Sequence, residues 1–102
     1  MQQKKSVTNP IHPGEILLEE FMKPLGLASN GLAMALRVPA TRIHAIVSES
    51  RGITADTALR LSRYFSTTSE FWMNLQRDYD LRTVARLSGT EIERAVQPRS
   101  AA

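Results

Sequence analysis

"LRVPATRIHAIV", residues 36–47, holds two stripes in one short segment. Leu36, Val38, Ile43, Ile46 and Val47 look like one buried face, while Thr41, Arg42, His44 and Ala45 lie between them. A helix that buries the first stripe must present the second, a row of small and polar side chains, to the outside. Pro39 suits the first turn of that helix, where its missing N–H costs nothing.

Upstream, Leu32, Ala33 and Leu36 give a second helix, from about Ser29 to Leu36, an inward face. Pro10 and Pro13 hold the chain extended until a first helix opens near Gly14. Its core face is Ile16, Leu17 and Phe21; Glu15, Glu19 and Lys23 share another face at four-residue spacing, and Pro24 with Gly26 ends it. Downstream, Thr54 is a good N-cap for a fourth helix, Asp56 favours its positive end and Ile53 is placed to staple onto Ala58. Ala58, Leu61, Ser62 and Phe65 fix its inward side. Thr68 caps a fifth helix that opens SEFWMNLQ and continues through Leu81, Val84 and Leu87 to a stop at Gly89. Thr90 and Glu93 read as a capping box for a last short helix before Pro98. No strand pattern of useful length occurs, so the chain is read as all-α with five to six helices. The expected organisation is a flexible segment over residues 1–12, one helical domain over 13–88, and a short C-terminal helix and tail over 89–102.

Composition narrows the function classes. The 102 residues hold one domain's worth of chain, with no room for a second catalytic one. Formal charge is +3, and ten of the thirteen cations are arginine, the residue suited to bidentate phosphate or carboxylate contacts. The absence of cysteine excludes disulfides, thiolate metal sites and thiol nucleophiles. No apolar run approaches the ~20 residues of a membrane span and the start MQQKKSVTNP lacks a signal core, so a cytoplasmic protein without a membrane partner is expected. His12 and His44, the only histidines, fall on different elements without a carboxylate at ligand spacing, and no metal site is expected. There is no H-E-x-x-H and no G-x-S-x-G. Asp56, Asp78 and Asp80 suit helix-dipole or solvated roles better than acid–base work. No catalytic residue, cofactor or small-molecule substrate is expected, and the chain is not read as an enzyme. Phe71, Trp72, Leu75 and Tyr79 at helical spacing are read as core and dimer surface rather than as a ligand pocket.

Two short amphipathic helices joined by a tight turn, followed by further helices, form the pattern of a helix-turn-helix DNA-binding domain. On that reading Ala40, Thr41, His44 and Ala45 face base edges, Thr and Ala meeting thymine methyls and His a purine, while Arg42 flanks them and grips a phosphate. An ordinary bundle with a solvated polar stripe has the same periodicity. The stretches NPIHPGEILLEEFMKPLGL (9–27), RGITADTALRLSRYF (51–65) and EFWMNLQRDYDLR (70–82) separate the two, because they resemble the HigA family of antitoxins within the Xre-type, lambda-repressor-like group. The resemblance spans about residues 9–86. It implies a dimeric autorepressor that binds the operator DNA of its own operon and neutralises a basic, mRNA-cleaving toxin of the HigB kind. It also implies that Ser29 and Asn30 stand against the DNA backbone, that Thr41 and Arg42 match the family's Thr-Arg, and that Arg51 and the helix start at Thr54 meet flanking phosphate. A stand-alone repressor without a toxin, or an interaction module that has lost DNA binding, shares the fold.

Three departures from the family pattern bear on that last alternative. Ala28 replaces the usual capping serine and moves the cap to Ser29. Gly31 replaces a good helix former at about 1 kcal/mol. Arg37 stands at the turn where glycine is usual, costing roughly 1 kcal/mol if its φ is positive, with an extra phosphate contact as compensation. For partners, the segment after Asp80, with Leu81, Val84 and Leu87, is the expected homodimer surface, and Glu15, Glu19 and Glu20 the expected toxin surface.

Overall fold

The computed structural model describes residues 9–100, and those residues form helices without strands. The first helix, α1, is built in three continuous pieces: an α turn at Pro13–Ile16, a π-helical stretch at Leu17–Met22 and a closing turn at Lys23–Leu25. The wide π turns lie directly before Pro24, whose ring would press on the carbonyl four residues back in a tight helix; Pro24 is therefore absorbed, and Gly26 in the left-handed region ends α1. Helices α2 (Ser29–Leu36), α3 (Ala40–Val47) and α4 (Ala55–Phe65) follow on short turns, and α5 (Ser69–Ala95) closes the fold.

The core is one cluster drawn from every helix. Leu17, Met22, Leu32, Ala33, Leu36, Ile43, Ile46, Ile53, Ala58, Leu61 and Trp72 are buried, and Phe21, Val38, Val47, Phe65 and Leu75 pack around them. The apolar stripe of residues 36–47 is thus inside, as its spacing predicts. Trp72 is fully buried, its Nε1 donates to Thr67 Oγ1 at 2.8 Å, and its ring meets Phe21 and Phe71 at 4.9 Å between centroids. Phe71 itself is 37% exposed, on the rim rather than in the core.

Four expectations require correction. Residues 9–12 belong to the folded unit: His12 is buried, caps α1 by accepting from Gly14 N–H on Nδ1 at 2.8 Å and stacks edgewise on Tyr79, while Asn9 accepts from Arg86. The remainder of the expected flexible segment, residues 1–8, lies outside the described residues, as do residues 101 and 102. Ser29 does not take over the missing cap; it is the first helical residue, Ala28 is the N-cap, and no side chain closes that end. Pro39 is likewise the N-cap of α3 rather than its first residue. Finally, α5 neither stops at Gly89 nor restarts at Thr90 but runs unbroken to Ala95. A lone helical glycine costs only about 1 kcal/mol, and a T-x-x-E spacing suits a helix interior as well as a cap.

The projecting helix sets the shape. A 27-residue helix measures ~40 Å, and the radius of gyration of 16.7 Å exceeds the ~13 Å of a compact domain of this size. Among the described residues no helix is long and apolar enough to cross a membrane.

Candidate nucleic-acid interface

The turn between α2 and α3 is fixed by backbone bonds. Arg37 N–H donates to Met34 C=O at 3.2 Å and Val38 N–H to Ala33 C=O at 3.0 Å, with Arg37 at φ 60° and ψ 46°. This is a Schellman closure, and it places a bulky cation where glycine is favoured. Glu49 and Ser66 hold the same left-handed position after α3 and α4. The positive φ anticipated for Arg37 is therefore present, with its strain of roughly 1 kcal/mol.

The seat of α3 is equally defined. On one side α1 presses so close that a Cβ on Gly14 would overlap the Ile46 carbonyl, which makes glycine obligatory there. On another, a clasp reaches from α4. Arg42 Nη1 donates to Asp56 Oδ2 at 2.6 Å, and the same oxygen accepts from Arg60 Nε at 2.9 Å. Arg60 Nη1 in turn donates at 2.9 Å to the Leu36 carbonyl, one of the end groups that a helix C-terminus leaves unbonded. The two guanidiniums hold the Asp56 carboxyl below the usual carboxylate range, Arg60 contributing most and Arg42 next. Beyond the clasp, Gln76 Oε1 accepts from Ile53 N–H at 2.7 Å and anchors the loop before α4 on α5.

What α3 leaves outside is a narrow face. Thr41 and His44 are exposed, Ala45 is half-buried, and Ala40 packs partly against the core. His44 Nε2 lies 3.1 Å from Asn30 Oδ1, so two polar residues expected to meet DNA separately form one unit across α2 and α3. Arg37, in the turn before α3, and Arg51, in the loop after it, are exposed, and neither makes a side-chain bond among the described residues. Ser29 is half-buried at the first position of α2, and Thr54 caps α4 by accepting from Thr57 N–H at 3.5 Å. Among the described residues no cluster of three or more metal-ligating side chains occurs.

The arrangement is shared with known proteins. No family model matches the chain. Virulence-associated protein I of Dichelobacter nodosus is 60% identical over 72 residues, 71% of this chain and 67% of that protein. An antitoxin HigA of Pseudomonas aeruginosa, solved with the higBA promoter, superposes with a TM-score of 0.87 at 48% identity over 90% of this chain and all of that one. The chain belongs to the HigA antitoxin family. A third relative, antitoxin GraA in complex with its operator, gives a TM-score of 0.87 at 47% identity over 98% of this chain and all of that one.

Of the expected interface residues, Asn30, Arg37, Thr41, His44, Arg51 and Thr54 are exposed, Ser29, Ala40 and Ala45 are half-buried, and Arg42, expected to face outward, is half-buried and bonded to α4. It reaches inward to α4, because Asp56 and Thr57 lie one short loop away and outbid water for its guanidinium. Arg60, not among the expected residues, links α4 to α2 through its bond to the carbonyl of Leu36, 24 residues earlier. The four-residue spacing of Asp56 and Arg60 was the available signal.

Proposed function

We propose that this chain is a homodimeric antitoxin and autorepressor: α3 reads the operator of its own operon, and a separate surface holds a HigB-type mRNA-cleaving toxin inactive in the cytoplasm. The observation that carries the reading is the buried-and-presented division of α3, clamped by Gly14, the Arg37 turn and the Asp56 clasp, in a chain that belongs to the HigA family. Thr41 and the His44–Asn30 unit supply the base-edge contacts, with the methyls of Ala40 and Ala45 beside them. Arg37 and Arg51 grip phosphates on either side, joined by Ser29 and the backbone donors after Thr54. A palindromic operator needs two such helices about 34 Å apart, and the exposed Leu81, Val84 and Leu87 of α5 pair two copies. The chain works by binding, without catalysis, cofactor or small-molecule substrate.

For the toxin, α1 offers carboxylates. Glu20 is exposed, Glu19 is half-buried and paired with Lys23 at 2.9 Å, and Glu15 is half-buried. Charge complementarity with a basic nuclease supports this surface, which leaves α3 free for DNA.

The test is a salt series of fluorescence anisotropy on the region upstream of the gene and on a scrambled duplex, with the neighbouring small basic reading frame co-expressed in parallel. Binding to the upstream DNA is expected to exceed scrambled binding by about 10³-fold or more. Thr41→Ala should relax discrimination at one base pair by about 1–3 kcal/mol without changing the salt slope. Equal binding to both duplexes would leave an interaction module. Operator binding with no neighbouring protein captured would leave a stand-alone repressor. If the toxin is captured, replacing Glu15, Glu19 and Glu20 by alanine should weaken neutralisation in a still-folded protein.

A further inference from the structure

Arg42 is the cation of α3 best placed by sequence to meet a phosphate, yet its side chain is only 23% exposed and already satisfied. Its Nη1 lies 2.6 Å from Asp56 Oδ2 and 3.4 Å from Thr57 Oγ1. Asp56 shares that oxygen with Arg60, whose other arm holds the end of α2 through the Leu36 carbonyl. We propose that Asp56 is a positioning and specificity-determining residue: its carboxylate stands in for a DNA phosphate on Arg42, fixing the seat of α3 while withholding one sequence-blind cation from the DNA backbone.

The inference rests on the reading of α3 as the DNA reader. A carboxylate and a phosphate compete for the same guanidinium fork. A phosphate contact strengthens binding to every sequence alike, whereas discrimination comes from base edges and so from where α3 sits. Holding Arg42 on Asp56 therefore acts twice in one direction: it keeps α3 aligned and keeps non-specific affinity down. Asp56 is exposed, so its replacement by asparagine keeps the shape and strands no buried charge. The variant also takes the carboxylate from Arg60 Nε, but Arg60 Nη1 keeps its bond to the Leu36 carbonyl and stays anchored, so Arg42 is the cation left to reach a phosphate.

Asp56→Asn, Arg42→Ala, the double variant and Asp56→Glu are compared with the unaltered protein by anisotropy on operator and scrambled duplexes across a salt series, each checked by thermal melting. Asp56→Asn should bind scrambled DNA more tightly, steepen its log K against log salt slope by about 1, and lower the operator-to-scrambled ratio by about tenfold. Arg42→Ala and the double variant should keep the unaltered slope, since Arg42 is absent from both and Arg60 stays anchored on Leu36; a steeper slope in the double variant would assign the released cation to Arg60 and overturn the proposal. Asp56→Glu, which restores the charge, should recover most of the ratio. A folded Asp56→Asn with unchanged slope and ratio overturns the proposal. So does a slope that shrinks by about 1 in Arg42→Ala, because Arg42 would then already contact a phosphate; this arm decides the matter alone if Asp56→Asn fails to fold. If the unaltered protein does not distinguish operator from scrambled DNA, the DNA reading falls and takes this inference with it.

Discussion

In its first two turns α5 buries Trp72 completely and lays Leu75 on the core, but beyond Asp80 its apolar side chains stand exposed among the described residues. Leu81, Val84 and Leu87 are 63%, 51% and 73% exposed. Both stretches carry apolar residues at helical spacing, and periodicity alone does not distinguish them. The difference lies in what opposes each stretch. The proximal part faces α1 and α4, whereas the distal part projects past them, with Asn9, Pro10 and Glu49 lining a shallow pocket beside Thr83, Arg86 and Leu87. Apolar spacing thus says which side of a helix wants cover without saying whether the cover belongs to the same molecule. A run of exposed apolar side chains on a projecting helix marks an interaction surface.

The comparison breaks most visibly at Trp72. Trp72→Ala removes the largest buried side chain together with the bond to Thr67, and should cost about 3–5 kcal/mol, enough to unfold most of the population of a small domain. A melting temperature within a few degrees of the unaltered protein would remove Trp72 from its central place. The matching change in the distal half, Leu81, Val84 and Leu87 all to glutamate, should shift the isolated fold by no more than about 0.5 kcal/mol per site while abolishing the dimer. Light scattering at micromolar concentration reads the second effect, and denaturant unfolding at low concentration the first. If the triple variant remains dimeric, the distal stripe is not the pairing surface.

The helices of the helix-turn-helix unit were legible because their stripes and caps are local, whereas the resemblance to the HigA family was needed to tell the unit from an ordinary bundle. The stripe of Leu36, Ile43 and Ile46 and the caps at Thr54 and Thr68 each follow from residues within a few positions of one another, while the condition on φ at Arg37 came from the resemblance. The extent of α5 was not legible, since Gly89 and the Thr90–Glu93 spacing serve a break and a continuous helix alike. The clasp was hidden for a different reason. Arg42 and Asp56 are 14 residues apart, and only the return of α4 across α3 brings them together, so an arginine that reads as unpaired is engaged by a carboxylate at the surface. The pairing of His44 with Asn30 has the same origin.

Arg37 sharpens the comparison within the packed half, where local strain coexists with a complete core. A non-glycine residue in the left-handed region loses roughly 1–2 kcal/mol, and glycine loses back part of this in unfolded-state entropy. Arg37→Gly should therefore stabilise the protein by about 1 kcal/mol, measured as a shift of the denaturation midpoint at constant m-value. The same substitution should flatten the salt slope of DNA binding by about 1 if Arg37 grips a phosphate. A stabilised variant with an unchanged slope would show that the arginine is tolerated at the turn without serving the DNA. A destabilised one would mean that its side chain contributes to the fold.

The smallest expected effect belongs to the Asp56 clasp, and it separates the two halves by pH. The guanidiniums of Arg60 and Arg42 lower the carboxyl's affinity for a proton in the folded state, while the unfolded chain keeps the ordinary aspartate value of about 4. A group depressed on folding stabilises above its unfolded value and loses that contribution as pH falls through the range between the two values. Unaltered protein and Asp56→Asn should therefore differ by a constant, small margin near neutral pH, and the margin should shrink as the pH is taken below about 4. Because the pair sits at the surface, added salt should shrink it as well. In the distal half, Leu81→Glu gains Arg77 at four-residue spacing, but Val84→Glu and Leu87→Glu gain no cation at three or four residues, so the unfolding of the triple variant should show no net stabilising margin that appears above pH 4. Denaturant midpoints for the three proteins across the acid range check both statements. A margin for Asp56→Asn that is independent of pH and salt would mean that the carboxylate holds α3 and α4 by shape alone.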